Sequence, residues 1–157
     1  MKVIFLDIDG VLNSRAYDRR RNWNEQTNID ETRIPLVKEI VEATNAKIVL
    51  SSTWRVDWDR DPNKCEEDGR YINRLFGKCG LKIYDKTPDL GMSALRRDEI
   101  KKWLSDSEEP VEAYVILDDY RYGWGDLVEH FVKTDPIFRL GLEKEHVEQA
   151  IKILSQG

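Results

Sequence analysis

The chain of 157 residues is poor in cysteine and histidine, with two of each, and contains no long apolar run. Cys65 and Cys79 are too few and too loosely spaced for a disulfide framework or a zinc site, so both read as ordinary thiols of a reducing compartment. His130 and His146 have no partner pattern that would suggest a ligand set and read as structural. No stretch approaches the ~20 apolar residues that span a bilayer. The opening MKVIFLDIDG has an apolar run of only four residues before Asp7 and Asp9 interrupt it, whereas a secretory leader needs about 7–15. The expectation is a cytoplasmic protein with no membrane association and no obligate protein partner. Internal repeats and low-complexity segments are also lacking.

What is present is a core-forming composition: 40% hydrophobic residues, with five Trp, six Tyr and four Phe, which excludes a disordered chain. The length suits one ordinary domain, here expected over 1–157. Twenty-five Lys+Arg against 30 Asp+Glu give a net charge of -5, which argues against coating nucleic acid by bulk charge.

Short apolar runs at Val3–Leu6, Ala46–Leu50, Leu81–Tyr84, Ala113–Leu117 and His130–Val132 read as strands buried on both faces. Helical spacing appears around Leu36–Val41, from about Glu67 to Phe76, from about Ser93 to Leu104, and over Val147–Leu154. Strands alternating with helices predict an α/β fold, a doubly wound three-layer sandwich around a mostly parallel sheet. Two polar insertions, at about 14–33 and 56–68, follow directly on strand ends, on the edge where open α/β sheets bind ligands. The first carries Arg15, Arg19, Arg20 and Arg21 with Tyr17 and Trp23, which suits either a nucleotide grip or a polar flap. Trp54 and Trp58 are expected to pack against that flap.

The chemistry lies in what each run delivers at its carboxyl end. The first gives Asp7, Asp9 and Gly10; the second gives Ser51, Ser52 and Thr53, with Arg55 close behind; the fourth gives Asp118 and Asp119. A helix opening with Arg96 and Arg97 feeds that fourth run. In a parallel sheet these groups converge, and four carboxylates need a cation to stay ionised together. Hard oxygen donors select Mg²⁺, and a Mg²⁺ ion beside a hydroxyl and an arginine suits a phosphate. Of two aspartates two residues apart, one can attack phosphorus and the other can shuttle protons. Gly10 allows a sharp turn beside them, and Arg55 is a candidate second phosphate contact. The residues alone leave open which Asp attacks, which of Arg96 and Arg97 faces the site, and which of Ser51 and Ser52 points inward.

The run Asp7-Ile8-Asp9-Gly10-Val11-Leu12-Asn13 resembles the first motif of haloacid dehalogenase (HAD) superfamily phosphatases. Ser51, Arg96 and the pair Asp118-Asp119 resemble the second, third and fourth motifs, in the expected order. The phrases LSSTWR, RRDEIKKWL, YVILDD and HFVKTD followed by GL resemble a small, nearly capless HAD group associated with RNA repair proteins. The resemblance implies a HAD-like fold with a minimal cap and a Mg²⁺-dependent phosphomonoester hydrolase working through an aspartyl-phosphate. Asp7 would be nucleophile and Mg²⁺ ligand, and Asp9 the acid/base with its backbone carbonyl on the metal. Ser51 would bond the transferring phosphoryl group, and Arg96, four residues before Ile100, would neutralise its charge. Asp118 would bind Mg²⁺ directly and Asp119 through water. Asn13, Gly10, Ser52 and Arg55 would line the substrate side. The implied substrate is a phosphorylated small molecule or nucleic-acid end; the rival readings are a phosphotransferase and an inactive HAD-like binding module.

Overall fold

A computed structural model describes residues 1–23 and 27–156. Its centre is a five-stranded, all-parallel sheet in the order β3-β2-β1-β4-β5. The strands are β1 (Lys2–Leu6), β2 (Lys47–Leu50), β3 (Ile83–Lys86), β4 (Ala113–Asp118) and β5 (Phe131–Lys133). The helices are α1 (Arg15–Arg20), α2 (Ile34–Thr44), α3 (Glu67–Lys78), α4 (Arg96–Asp106) and α5 (Lys144–Leu154). This is the doubly wound α/β sandwich.

Successive side chains of a strand point to opposite faces, and the core divides accordingly. Ile4, Leu6, Ile48, Leu50, Val115 and Leu117 pack in one cluster with Val37 and Ile40 of α2, Ile72 and Phe76 of α3, and Val147 and Leu154 of α5. Val3, Phe5, Val49 and Ile116 turn the other way, onto Ile100 and Trp103 of α4 and onto Trp124 and Leu127. Each such side chain, fully buried, contributes roughly 1.5–3 kcal/mol. Pro35 sits in the first turn of α2, where its missing N–H costs nothing, and Asn45 ends that helix in the left-handed region (φ 58).

Three strands begin later than the sequence expectation. Ala46 precedes β2. The third strand begins at Ile83 because Gly80 and Leu81 donate back to Gly77 and Phe76 and close the end of α3. β5 begins at Phe131 because His130 ends a 3-10 turn (Gly125–His130) and places its Nδ1 3.1 Å from the Tyr114 carbonyl. The insertion at 14–33 contains α1, capped by Ser14, and a 3-10 turn at Glu31–Arg33; its residues 24–26 lie outside those described. Both cysteines are free, and among the described residues no helix is long and apolar enough to cross a membrane.

Strand order and chain direction decide where the site lies. From β1 the chain moves outward to β2 and β3; from β4 it moves the opposite way to β5. The crevice of an open α/β sheet opens at the carboxyl ends of the two strands where this reversal occurs, here β1 and β4.

Candidate active site

The register alone brings three chemical groups abreast. Leu6 pairs with Leu50 on one side and Leu117 on the other, and one residue further on the Ser51 amide donates to the Leu6 carbonyl and the Asp7 amide to the Leu117 carbonyl. Ser51, Asp7 and Asp118 therefore stand side by side where the ladder ends. Carboxylate oxygens of Asp7, Asp118 and Asp119 lie within 4.8 Å of one another.

Arg96, the first residue of α4, reaches over this cluster. Its Nη1 is 3.1 Å from Asp7 Oδ2 and 2.5 Å from Asp118 Oδ2. Arg97, the neighbouring candidate, also lines the cleft but lies against Gly125: its Nη1 is 2.6 Å from where a Cβ on Gly125 would stand, and its Nε has no hydrogen-bond partner among the described residues. The remaining Asp7 oxygen accepts from the Ile8 amide, and Asp118 Oδ1 accepts from the Tyr120 amide.

One guanidinium cannot balance three carboxylates. Burial, then the charge of Asp118, pushes the Asp7 carboxyl up to about 8 despite Arg96. Asp119 is raised by the same two causes in the same order. Burial opposes the charge on Arg96, but Asp7 and Asp118 outweigh it and hold the guanidinium above its ordinary range. Three converging hard oxygens short of positive charge fit a small divalent cation.

Asp9 stands apart from that cluster. Its carboxylate is exposed; Oδ1 accepts from Asn13 Nδ2 at 3.0 Å and Oδ2 from Trp54 Nε1 at 3.1 Å. Asn13 also accepts from the Gly10 amide and donates to the Asn28 carbonyl, so one side chain ties the turn, the flap and Asp9 together. Gly10 adopts φ +84, and a Cβ there would come within 2.4 Å of the Asp119 carboxyl carbon; only glycine lets Asp119 pack against this turn.

Two other expected contacts are engaged within the protein, although Arg55 lines the same cleft. The Arg55 guanidinium is buried and committed within the protein: Nε donates to the Thr87 carbonyl, Nη1 to the Ser52 carbonyl, and Nη2 to Glu99 at 2.8 Å. It joins the turn after β2 to α4 rather than offering a free phosphate donor. Ser52 Oγ accepts from the Trp54 amide and caps a 3-10 turn (Thr53–Asp57). Ser51 Oγ is buried with no hydrogen-bond partner among the described residues. Both tryptophans share a hydrophobic cluster with Ile29 of the flap, and each also has a polar partner elsewhere. Trp58 is buried and donates to Asn73 of α3, while Trp54 lies over Tyr71 and bonds Asp9. Trp54 is the site residue that sequence reasoning missed; its position three after Ser51, in LSSTWR, was the available signal.

His146 Nδ1 accepts from the Glu143 amide in a capping box, and burial lowers its pKa, as a structural histidine requires. Asp7, Asp9, Thr53, Arg96, Asp118 and Asp119 all line one cleft of about 650 Å³.

The family described as the HAD domain in Swiss Army Knife RNA repair proteins matches residues 3–147, and the chain belongs to it. No curated protein and no solved structure gives a significant match to the chain. Family and aspartate cluster together support a phosphatase-type site able to hold a metal.

Proposed function

We propose that this HAD domain hydrolyses phosphomonoesters with Mg²⁺ through a phosphorylated Asp7, acting on nucleotide or nucleic-acid-end phosphates. The observation that carries the reading is the row Ser51, Asp7, Asp118 at the reversal point of the sheet, with Arg96 bridging its two carboxylates. Asp7, Asp118 and Asp119 would hold the ion, with the Asp9 carbonyl beside them. When bound, it would neutralise the crowded carboxylates and the phosphate's charge.

An Asp7 oxygen attacks phosphorus, and the P–O bond to the leaving alcohol breaks as Asp9 gives that oxygen a proton. Water then attacks the phosphoryl group while Asp9 takes its proton. Inorganic phosphate leaves and Asp7 returns as a carboxylate. Arg96 and the Ser51 hydroxyl would bond the phosphoryl oxygens. Asn13 and Trp54 hold Asp9 toward the leaving group. Gly10 serves by letting Asp119 approach, while Ser52 and Arg55 act as supports for the wall. Read as one domain with only short insertions at 14–33 and 56–68, the chain leaves this site open to bulky esters.

The test is phosphate release from nucleotides, phosphorylated oligonucleotides, sugar phosphates and an aryl phosphate. Mg²⁺-dependent release is expected, with a loss of at least about 10³-fold in Asp7→Asn. Full activity in that variant, or no release from any ester, overturns the reading.

A further inference from the structure

The cleft extends well beyond the carboxylates, and its far end differs in character. The floor is buried and charged: Asp7 is 4% exposed and Asp118 fully buried. The mouth is aromatic and apolar. Tyr120 (61% exposed) and Tyr122 (67%) stand edge to face, with centroids 6.1 Å apart, on the turn after β4. Met92, fully exposed, and Leu95 line the same cleft from the β3–α4 connection. Large apolar side chains held in water beside a reactive centre are costly unless something covers them.

Both lips are held at the backbone while their side chains are exposed. The Tyr120 amide donates to Asp118 and its carbonyl accepts from Trp124 Nε1. Across the cleft, the Leu90 amide donates to Glu99 and the Gly91 amide to Asp89. The backbone of Tyr120 is thus tied directly to a residue of the proposed metal cluster.

We propose that Tyr120, Tyr122 and Met92 form a stacking site for the base of a nucleoside monophosphate unit; this rests on the phosphatase reading above. Three observations choose that ligand. The cleft's ~650 Å³ lies within the range for small-molecule sites and holds far more than a phosphate. The flat side chains sit at the mouth, away from the buried carboxylates, so the ligand's planar part is separated from its phosphate by a spacer, as the sugar of a nucleotide provides. Thr53, Asp9 and Asp89 also line the cleft and offer polar groups to such a spacer. Stacking on aromatic rings also tolerates any base, because each has a π-face.

The experiment compares kcat/KM for adenosine 5′-monophosphate with that for ribose 5-phosphate, which presents the same reacting group without the base. A preference of at least about tenfold for the nucleotide is expected, as one stacked base would give. That ratio should collapse toward one in Tyr122→Ala and Met92→Ala and persist in Tyr122→Phe, since stacking needs no hydroxyl. A 5′-phosphorylated oligonucleotide turned over with the same dependence on Tyr122 supports the site with the unit taken from a strand end. Equal turnover of the two small esters, a ratio unmoved by the alanine variants, or phosphotyrosine preferred over the nucleotide overturns the proposal. Equilibrium binding of the same two ligands to Asp7→Asn with Mg²⁺ separates the two readings. Base-dependent binding without hydrolysis of any ester sinks the phosphatase reading and leaves the stacking site standing; hydrolysis without base preference does the reverse.

Discussion

Asp7 and Asp9 are two residues apart and line one cleft, yet they live in opposite surroundings. Asp7 is buried among two other carboxylates, with a single arginine shared between it and Asp118. Asp9 is exposed, and each of its oxygens accepts from a neutral donor, Asn13 or Trp54. The first arrangement is short of positive charge and calls for a cation. The second is satisfied without one and fixes a direction. Identical side chains are thus given different surroundings, as the proposed roles of nucleophile and proton carrier would require.

The sharpest way to break this contrast is at Asp9. Asp9→Asn should lower turnover of alkyl phosphates by about 10²–10⁴-fold, the usual worth of a positioned acid. An aryl phosphate, whose leaving oxygen needs little protonation, should lose far less. Equal losses on both would place Asp9 in binding instead. A matched charge pair offers a control: Arg55 and Glu99 are both buried and neutralise each other one to one. Glu99→Gln strands the guanidinium and should cost about 3–5 kcal/mol of stability, read from denaturant midpoints. Its Mg²⁺ affinity should stay close to that of the parent protein.

Asp7 itself should report its crowding through pH. With its folded carboxyl raised to about 8, the protonated form favours the metal-free fold at low pH, and that contribution fades as pH rises through about 8. Mg²⁺ has to displace this proton. Its affinity, measured by calorimetry, should strengthen by up to about tenfold per pH unit between 6 and 8, then level off. A flat profile would mean that Asp7 is not a ligand. The smallest expected effect is at Trp54. Trp54→Phe keeps the ring over Tyr71 but removes the donor to Asp9, and should cost about tenfold in kcat on alkyl phosphates with KM little changed. A fall in KM-dependent terms alone, or the same loss on aryl phosphates, would assign Trp54 to packing.

Much of the frame was legible because it depends on short-range pattern. A run such as Val3–Leu6, ending in Asp7-Ile8-Asp9-Gly10, announces a buried parallel strand and the groups at its end within ten residues. The arginine was only half readable: helical spacing put both Arg96 and Arg97 on the side of buried Ile100, the family resemblance favoured Arg96, and the fold brings Arg96 onto Asp7 and Asp118. The errors arose where a side chain's partner is distant in the chain. Arg55 looked free for phosphate until Glu99, 44 residues on, came beside it. Trp54 looked like packing until it met Asp9, 45 residues back. The start of β3 slipped because closing α3 consumed Gly80 and Leu81, and end-of-helix bonding leaves little trace in hydrophobic pattern.

Composition, periodicity and motif order determined by themselves an α/β sandwich with carboxylates, hydroxyls and an arginine at strand ends, because burial of alternating or continuous apolar runs is a local demand on each segment. Only the tertiary structure decided which of those groups face one another and which are already spent. Hydrogen bonds and ion pairs are short-ranged, so a side chain's role depends on partners that the folded sheet brings within about 3 Å.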